Sequence, residues 1–183
     1  MQMNTHNNIV FRTANESDLS TIWEIITFAK EVRRREGSSQ WQDGYPDIDT
    51  IRLDIVDRKG YLLLCNDEVC GYMAVVLDGE PAYDDIEGCW LSNRSYTTVH
   101  RMAVSSQAKG KGLGYTMLLK VEEISLANSI YSIRVDTNYD NTAMLHIFEK
   151  LGYVYCGEVY YHVRTRLETA SRIRLGVVFH PCV

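Results

Sequence analysis

The run Lys109-Gly110-Lys111-Gly112-Leu113-Gly114 lies between a strand-like segment, Tyr96 to Val104, and a helix-like one, Tyr115 to Asn128, and it constrains the chain more than any other feature. The helix is read from Met117, Leu118, Val121, Ile124 and Leu126, which keep apolar side chains mainly on one face. Glycines let the backbone approach a ligand closely, successive amides converge, and the helix N-terminus adds partial positive charge. A turn of this kind suits a pyrophosphate. Lys109 and Lys111 add positive charge. Glycine-rich strand-to-helix turns also serve nucleotides in dinucleotide-binding and P-loop folds, but the spacing here argues against both. No Gly-Lys-Ser/Thr ending is present, and the turn lies mid-chain after a hairpin instead of opening a doubly wound sheet.

The flanking sequence supplies the rest of a mixed α/β architecture. Ile9 to Phe11 reads as a strand, and Ile22, Ile25, Ile26, Ala29 and Val32 give one face of a helix from Ser17 to Arg35. Ile48 to Val56 suggests a second helix closed by Gly60. Tyr61 to Cys65 and Val69 to Leu77, around the polar turn at Asn66-Asp67-Glu68, predict a hairpin with both strands buried. Ile130 to Asp136 is a strand, Thr142 to Leu151 a helix ended by Gly152, and Tyr153 to Val163 a long strand. The order β-α-α-β-β-β-α-β-α-β contains a parallel β-α-β unit at its centre. Arg164, Arg166, Arg172 and Arg174 precede Val177-Val178-Phe179 in a tail that reads as a short helix and an edge strand.

Length and composition narrow the class. The 183 residues predict one domain, 1–183, and the formal net charge of −5 repels a phosphate backbone, which argues against nucleic acid as a partner. Met1 to Asn8 has no apolar core, and no apolar run approaches the roughly 20 residues that span a bilayer, so the expectation is a soluble, cytoplasmic protein without a membrane partner. Cys65, Cys70, Cys89, Cys156 and Cys182 show neither disulfide nor zinc spacing and read as reduced thiols, and no metal site is expected.

The turn resembles the phosphate motif of the GNAT acetyltransferases, Arg/Gln-x-x-Gly-x-Gly/Ala. Two registers match: Gln107 with Gly110 and Gly112, or Lys109 with Gly112 and Gly114. The second keeps the interval from the strand end at Val104, with lysine as its departure. Downstream, Asn141 followed by Phe148-Glu149-Lys150-Leu151-Gly152-Tyr153 is similar to the family's Asn and Tyr-Glu-Lys-Leu-Gly-Phe. The resemblance covers essentially the whole chain. It implies a mixed sheet of about six to seven strands flanked by about four helices, splayed between its fourth and fifth strands, with acetyl-CoA as the co-substrate. It also implies that the backbone of Met102, Ala103 and Val104 pairs with the pantetheine arm, that Lys109 through Tyr115 (Lys109, Gly110, Lys111, Gly112, Leu113, Gly114 and Tyr115) hold the pyrophosphate, and that Asn141 contacts the cofactor. Asn141 also reads as the N-cap of the helix from Thr142.

Acetyl transfer to an amine needs a neutral nucleophile and a fate for the departing thiolate. Many family members carry an acid tyrosine where this chain has Phe148, so another residue serves, or the thiolate leaves unassisted as a fair leaving group. His100 is the candidate base: in a regular strand it shares a face with Thr98, Met102 and Val104, and a histidine at this offset resembles the arylalkylamine N-acetyltransferases. The alternative is a hydrogen-bonded core histidine. Regular alternation turns Arg101 to the other face, toward an acid such as Asp136. Trp41 and Tyr45, with Tyr83, Asp84 and Asp85, are expected to line an acceptor cleft and to favour a cationic amine; their other reading is solvated acids and aromatics that cap the core. The expected activity is N-acetylation of a primary amine, in a small molecule or a protein, by direct attack in a ternary complex. The competing reading, motivated by Phe148, is a catalytically impaired acetyl-CoA-binding module. Two-fold homodimers are the commonest assemblies and set the expectation for oligomeric state.

Overall fold

The computed structural model describes residues 8–77, 79–162 and 172–181, the last ten and residue 162 by backbone alone. Their elements are β1 (Ile9–Thr13), α1 (Leu19–Arg35), α2 (Ile48–Val56), β2 (Gly60–Cys65), β3 (Glu68–Val76), β4 (Glu87–Gly88), β5 (Thr97–Val104), α3 (Leu113–Ala127), β6 (Ser132–Asn138), α4 (Thr142–Lys150), β7 (Val154–His162) and β8 (Arg172–Pro181). Contacts divide the chain into two compact units. One takes residues up to Ala74 and Arg101–Lys120, and the other takes Val75–His100 and everything from Val121 onward.

In the first unit β1 pairs antiparallel with β2, and β2 with β3. The hairpin turn is made by Asn66 and Asp67 at φ 52° and 66°, the paired left-handed conformation of a two-residue type I′ turn that asparagine and aspartate tolerate well. The apolar stripe of α1 packs Ile22, Ile25 and Ile26 against Ile51 and Ile55 of α2 and Leu62 and Tyr72 of the hairpin. Full burial of a side chain such as Ile22, Ile26 or Ile51 contributes about 1.5–3 kcal/mol. Two local devices start α1: Asp18 accepts from the Asn15 amide at 2.9 Å, and Arg12 grips the Asp18 carboxylate with two bonds of 2.8 Å. The end of α2 differs from the glycine stop expected at Gly60. Arg58 takes the left-handed position at φ 56°, its amide donates to Ile55, and the Lys59 amide donates to Asp54, while Gly60 already begins β2.

In the second unit the neighbours run β5-β6-β8-β7-β4. The parallel β5–β6 ladder is short, with Thr97, Thr98 and Val99 opposite Ile133, Arg134 and Val135, although β5 continues to Val104 and β6 to Asn138. This early end of the pairing is the expected splay. The tail corrects its expected edge position: β8 is an interior strand, antiparallel to β6 on one side and to β7 on the other. Val177 and Val178 thus sit in a two-sided position, where apolar runs belong. Arg164, Arg166 and Cys182 lie outside the described residues. The helix α4 ends as expected, with Gly152 at φ 75°, its amide on Glu149 O and the Tyr153 amide on Phe148 O.

Candidate active site

The cofactor turn belongs to the first unit. After β5 a short 3-10 turn, Ser106–Ala108, leads to Lys109, Gly110 and Gly112, and α3 begins at Leu113. Gly110 and Gly112 have φ 79° and 75°, and a β-carbon built on either would meet no atom within 4 Å. The requirement for glycine is conformational, and the space above the turn is open. The Thr116 amide donates to Gly112 O at 3.3 Å, and the amides of Leu113 and Gly114 precede it at the helix N-terminus. Lys109 and Lys111 are exposed beside them.

The backbone also separates the two registers. The motif position that tolerates either glycine or alanine must be a conformation open to both. Gly114, inside α3, satisfies this; Gly112 at φ 75° does not. The geometry therefore fits Lys109 with Gly112 and Gly114.

Inside β5 the regular alternation expected from Thr98 to Val104 is broken. Arg101 has φ 54°, and a left-handed residue within a strand resets which side each neighbour faces, as in a bulge. Arg101 consequently meets Asp54 of α2 and not Asp136: Nε and Nη2 donate to the two carboxylate oxygens at 2.7 and 2.6 Å. Its other amino group donates to the Tyr45 hydroxyl, and the Tyr45 ring lies 5.9 Å from the guanidinium. Tyr72, fully buried, donates to Asp54 at 2.7 Å. Tyr45 is thereby tied to a structural ion pair, and Trp41 packs against the apolar core of this unit. Lys30 pins the same loop by donating to Gly44 O at 3.1 Å and Pro46 O at 2.8 Å, and its burial holds the ammonium pKa below the usual value.

His100 belongs to the second unit and has a different environment. Its Nε2 is buried and lies 3.2 Å from Glu80 Oε2, with side-chain exposures of 12% and 22%, but the carboxylate stands off the N–H direction, so the contact is an ion-pair approach without hydrogen-bond alignment. The charge of His100 also acts on Asp136 of β6, which accepts from Tyr83 at 2.5 Å and from Tyr161 at 3.1 Å. Burial pushes the Asp136 pKa upward, and the charge of His100 and the two phenols offset this only in part. Burial, and then Asp136, hold the Tyr83 phenol well above its ordinary value.

Tyr83 differs from the cleft-lining residue expected of it: it is sealed in the core and positions an acid. Asp84 and Asp85 are exposed. Tyr96 stacks on Tyr83, Trp90 meets it at a tilt, and both flank the guanidinium of Arg134, which lies 4.1 Å from the Trp90 and 3.8 Å from the Tyr96 ring centre and donates to Ser92 O. Asn141 caps α4, accepting from the Met144 amide at 3.3 Å. Phe148 is buried and stacks on Tyr153 with centroids 5.5 Å apart, a packing residue of α4.

The sequence profile of the acetyltransferase (GNAT) family matches residues 23–153. The chain belongs to the GNAT acetyltransferase family. It is similar to a GNAT-family acetyltransferase from Streptococcus agalactiae, at 32% identity over 94% of this chain and 95% of that one, with a TM-score of 0.82. The fold is shared with the ribosomal-protein-alanine N-acetyltransferase of Brucella melitensis, at 18% identity over 94% and 99% of the two chains and a TM-score of 0.66. It is shared also with yncA of Salmonella typhimurium, solved with its cofactor acetyl-CoA, at 16% identity over 96% and 95% and a TM-score of 0.65. None of the curated proteins matches the sequence. As a GNAT member the chain is a mixed α/β acetyltransferase-fold protein, and among its described residues no helix is long and apolar enough to cross a membrane.

Two acids of the His100 site, Glu80 and Asp136, escape a reading from sequence. Glu80 stands in a Gly-Glu-Pro turn that carries no periodic signal, and Asp136 ends an apolar strand as any polar boundary residue would. Asp54 is equally silent, one of four aspartates between Asp47 and Asp57.

Proposed function

We propose that this GNAT protein is an acetyl-CoA-dependent N-acetyltransferase that acts on a primary amine by direct attack in a ternary complex, with His100 as the base. The observation that carries the reading is the open, left-handed Gly110–Gly112 turn ahead of the N-terminus of α3, with two exposed lysines beside it. Residues Lys109 to Tyr115 fit a pyrophosphate by donor chemistry and by the space that a side chain would fill. The backbone of Met102, Ala103 and Val104 would receive the pantetheine arm, and Asn141, besides capping α4, would contact it as well. The bound thioester supplies an acyl carbon with a thiolate leaving group.

The ammonium gives its first proton to water, and His100 takes the second from the neutral amine as the nitrogen–carbon bond forms and the carbon–sulfur bond breaks, and the departing sulfur keeps the bonding pair. Strand β5 carries both functions in sequence, with His100 two residues before Met102. Phe148 packs in the core and supplies no proton, which is compatible with an unassisted thiolate. Trp41, Tyr45, Asp84 and Asp85 remain the proposed acceptor-side residues, with a cationic amine, free or on a protein, as the acceptor. Cys65, Cys70, Cys89 and Cys156 as thiols, together with the absence of any membrane-crossing helix among the described residues, are consistent with action in the cytoplasm. A single acetyltransferase domain, alone or as a two-fold dimer and without nucleic acid, completes the proposal.

Coenzyme A is expected to raise the melting temperature by mass action, and Gly112→Val to remove most of that shift, because a β-branched residue is strained at φ 75° and would occupy the space above the turn. An undiminished shift in a folded variant places the phosphate site elsewhere. Thiol release from acetyl-CoA across an amine panel measures turnover. His100→Gln should lower kcat/KM by about 10²- to 10⁴-fold while coenzyme A affinity holds. A panel with no turnover favours the impaired, binding-only reading.

A further inference from the structure

We infer that Glu80 is the positioning residue for His100, its carboxylate holding the imidazole in the tautomer that carries hydrogen on Nε2 and leaves the lone pair on Nδ1. The inference rests on the proposed role of His100 and adds a residue to that site.

The geometry is built outward from β6. Arg134 lies against the faces of Trp90 and Tyr96 and fixes both rings. The Tyr96 hydroxyl then meets the Glu80 backbone on both sides, accepting from its amide at 3.1 Å and donating to its carbonyl at 3.4 Å. With the main chain held, the side chain is held as well. Glu80 Oε1 accepts from the Ala82 amide at 3.1 Å, capping the short 3-10 turn Pro81–Tyr83, and Oε2 lies 3.2 Å from His100 Nε2. A carboxylate held through Oε1 and through its own backbone loses little further freedom when it orients a neighbour.

Contact range decides which acid meets Nε2. Asp136 already accepts two phenolic hydrogens, from Tyr83 and Tyr161, and it acts on the imidazole through charge. Glu80 Oε2 is the oxygen in contact range. A carboxylate oxygen 3.2 Å from Nε2 repels a lone pair on that nitrogen and so favours the neutral tautomer with hydrogen on Nε2 and the lone pair on Nδ1. Because Nε2 is enclosed, the opposite tautomer would aim its basic nitrogen into the protein and be useless to an incoming amine. The same logic, an acid that fixes a catalytic imidazole by its far nitrogen, holds in the serine-protease triad.

The test reads the tautomer directly in the full-length protein. Long-range 1H–15N spectra of histidine-labelled protein, with the His100 signals assigned by their loss in His100→Gln, should show Nε2 protonated in the neutral ring. Glu80→Ala should abolish that preference, and Glu80→Gln, whose amide oxygen can still accept, should largely restore it. A wild-type ring protonated on Nδ1, or an unchanged Nε2–H form in Glu80→Ala, overturns the inference. If Glu80→Ala unfolds, the wild-type and Glu80→Gln spectra still decide it, since an Nδ1–H ring in either is incompatible with the proposed contact. Failure of the base assignment is a separate result, read from an undiminished kcat/KM in His100→Gln.

Discussion

His100 and Arg101 are consecutive on β5, and each ends among acids, but the two surroundings are opposite in kind. Around Arg101 one buried cation meets one buried anion in a two-point pairing, and Tyr72 donates to the same carboxylate. Burial alone would lower the Arg101 pKa, yet Tyr45 and Asp54 more than reverse it, and the net direction is upward. The Tyr72 phenol is raised too, first by burial and then by Asp54. Both shifts hold Arg101 charged and Tyr72 neutral at ordinary pH. Around His100 two carboxylates share one imidazole, and one of them, Asp136, has its pKa raised by burial. The left-handed residue at Arg101 makes this contrast, since it breaks the alternation that would have given the two side chains a simple opposite-face relation. One group is a pin with its charges matched. The other holds a surplus of acid beside a residue able to move a proton.

Asp54→Ala should produce the largest effect, because it leaves Arg101 buried without its anion. A destabilisation of about 3–5 kcal/mol in chemical denaturation is expected. A loss well under about 1 kcal/mol would mean that Arg101 finds water, and the matched-charge half of the comparison would fall. Tyr72→Phe comes next. It deletes one hydrogen bond to a carboxylate that keeps its two from Arg101, so a loss of about 1.5–3 kcal/mol is expected, smaller than that of Asp54→Ala in the same assay.

The elements were legible where local chemistry dominates. The glycines at 110, 112 and 152, the stripe of α1 and the Asn66-Asp67 turn each follow from conformational preference or periodicity, and each is found where expected. The interior position of β8 was not legible, since strand order depends on pairings distant in sequence. Within the site, His100 stood out by residue type. Its partners did not, because Glu80 reaches it through a chain of contacts from Arg134 to Tyr96 that no spacing encodes. The same holds for Arg101, whose expected partner Asp136 followed from assuming a regular strand; a single left-handed residue redirects it to Asp54.

The smallest expected effect tests the other half of the comparison, and it concerns slope more than size. An acid whose pKa is raised on folding holds its proton more tightly in the folded state than in the unfolded one. Between the ordinary aspartate value of 3.8 and the raised value, the folded protein therefore binds more protons, and its stability falls as pH rises through that window. Asp136→Asn removes this proton exchange, while the amide oxygen can still accept from Tyr83 and Tyr161. The stability of Asp136→Asn relative to wild type should consequently improve as pH is raised from about 4 toward neutrality, whatever the constant offset between the two proteins. His100, Glu80, Tyr83 and Tyr161 face the same carboxylate, so the comparison should be repeated in a His100→Gln background to remove the contribution of the ring. Denaturant midpoints at four or five pH values suffice. A relative stability of Asp136→Asn that falls with rising pH would mean that Asp136 is held as a favoured anion, and the acid surplus around His100 would then be as fully matched as the pair around Arg101.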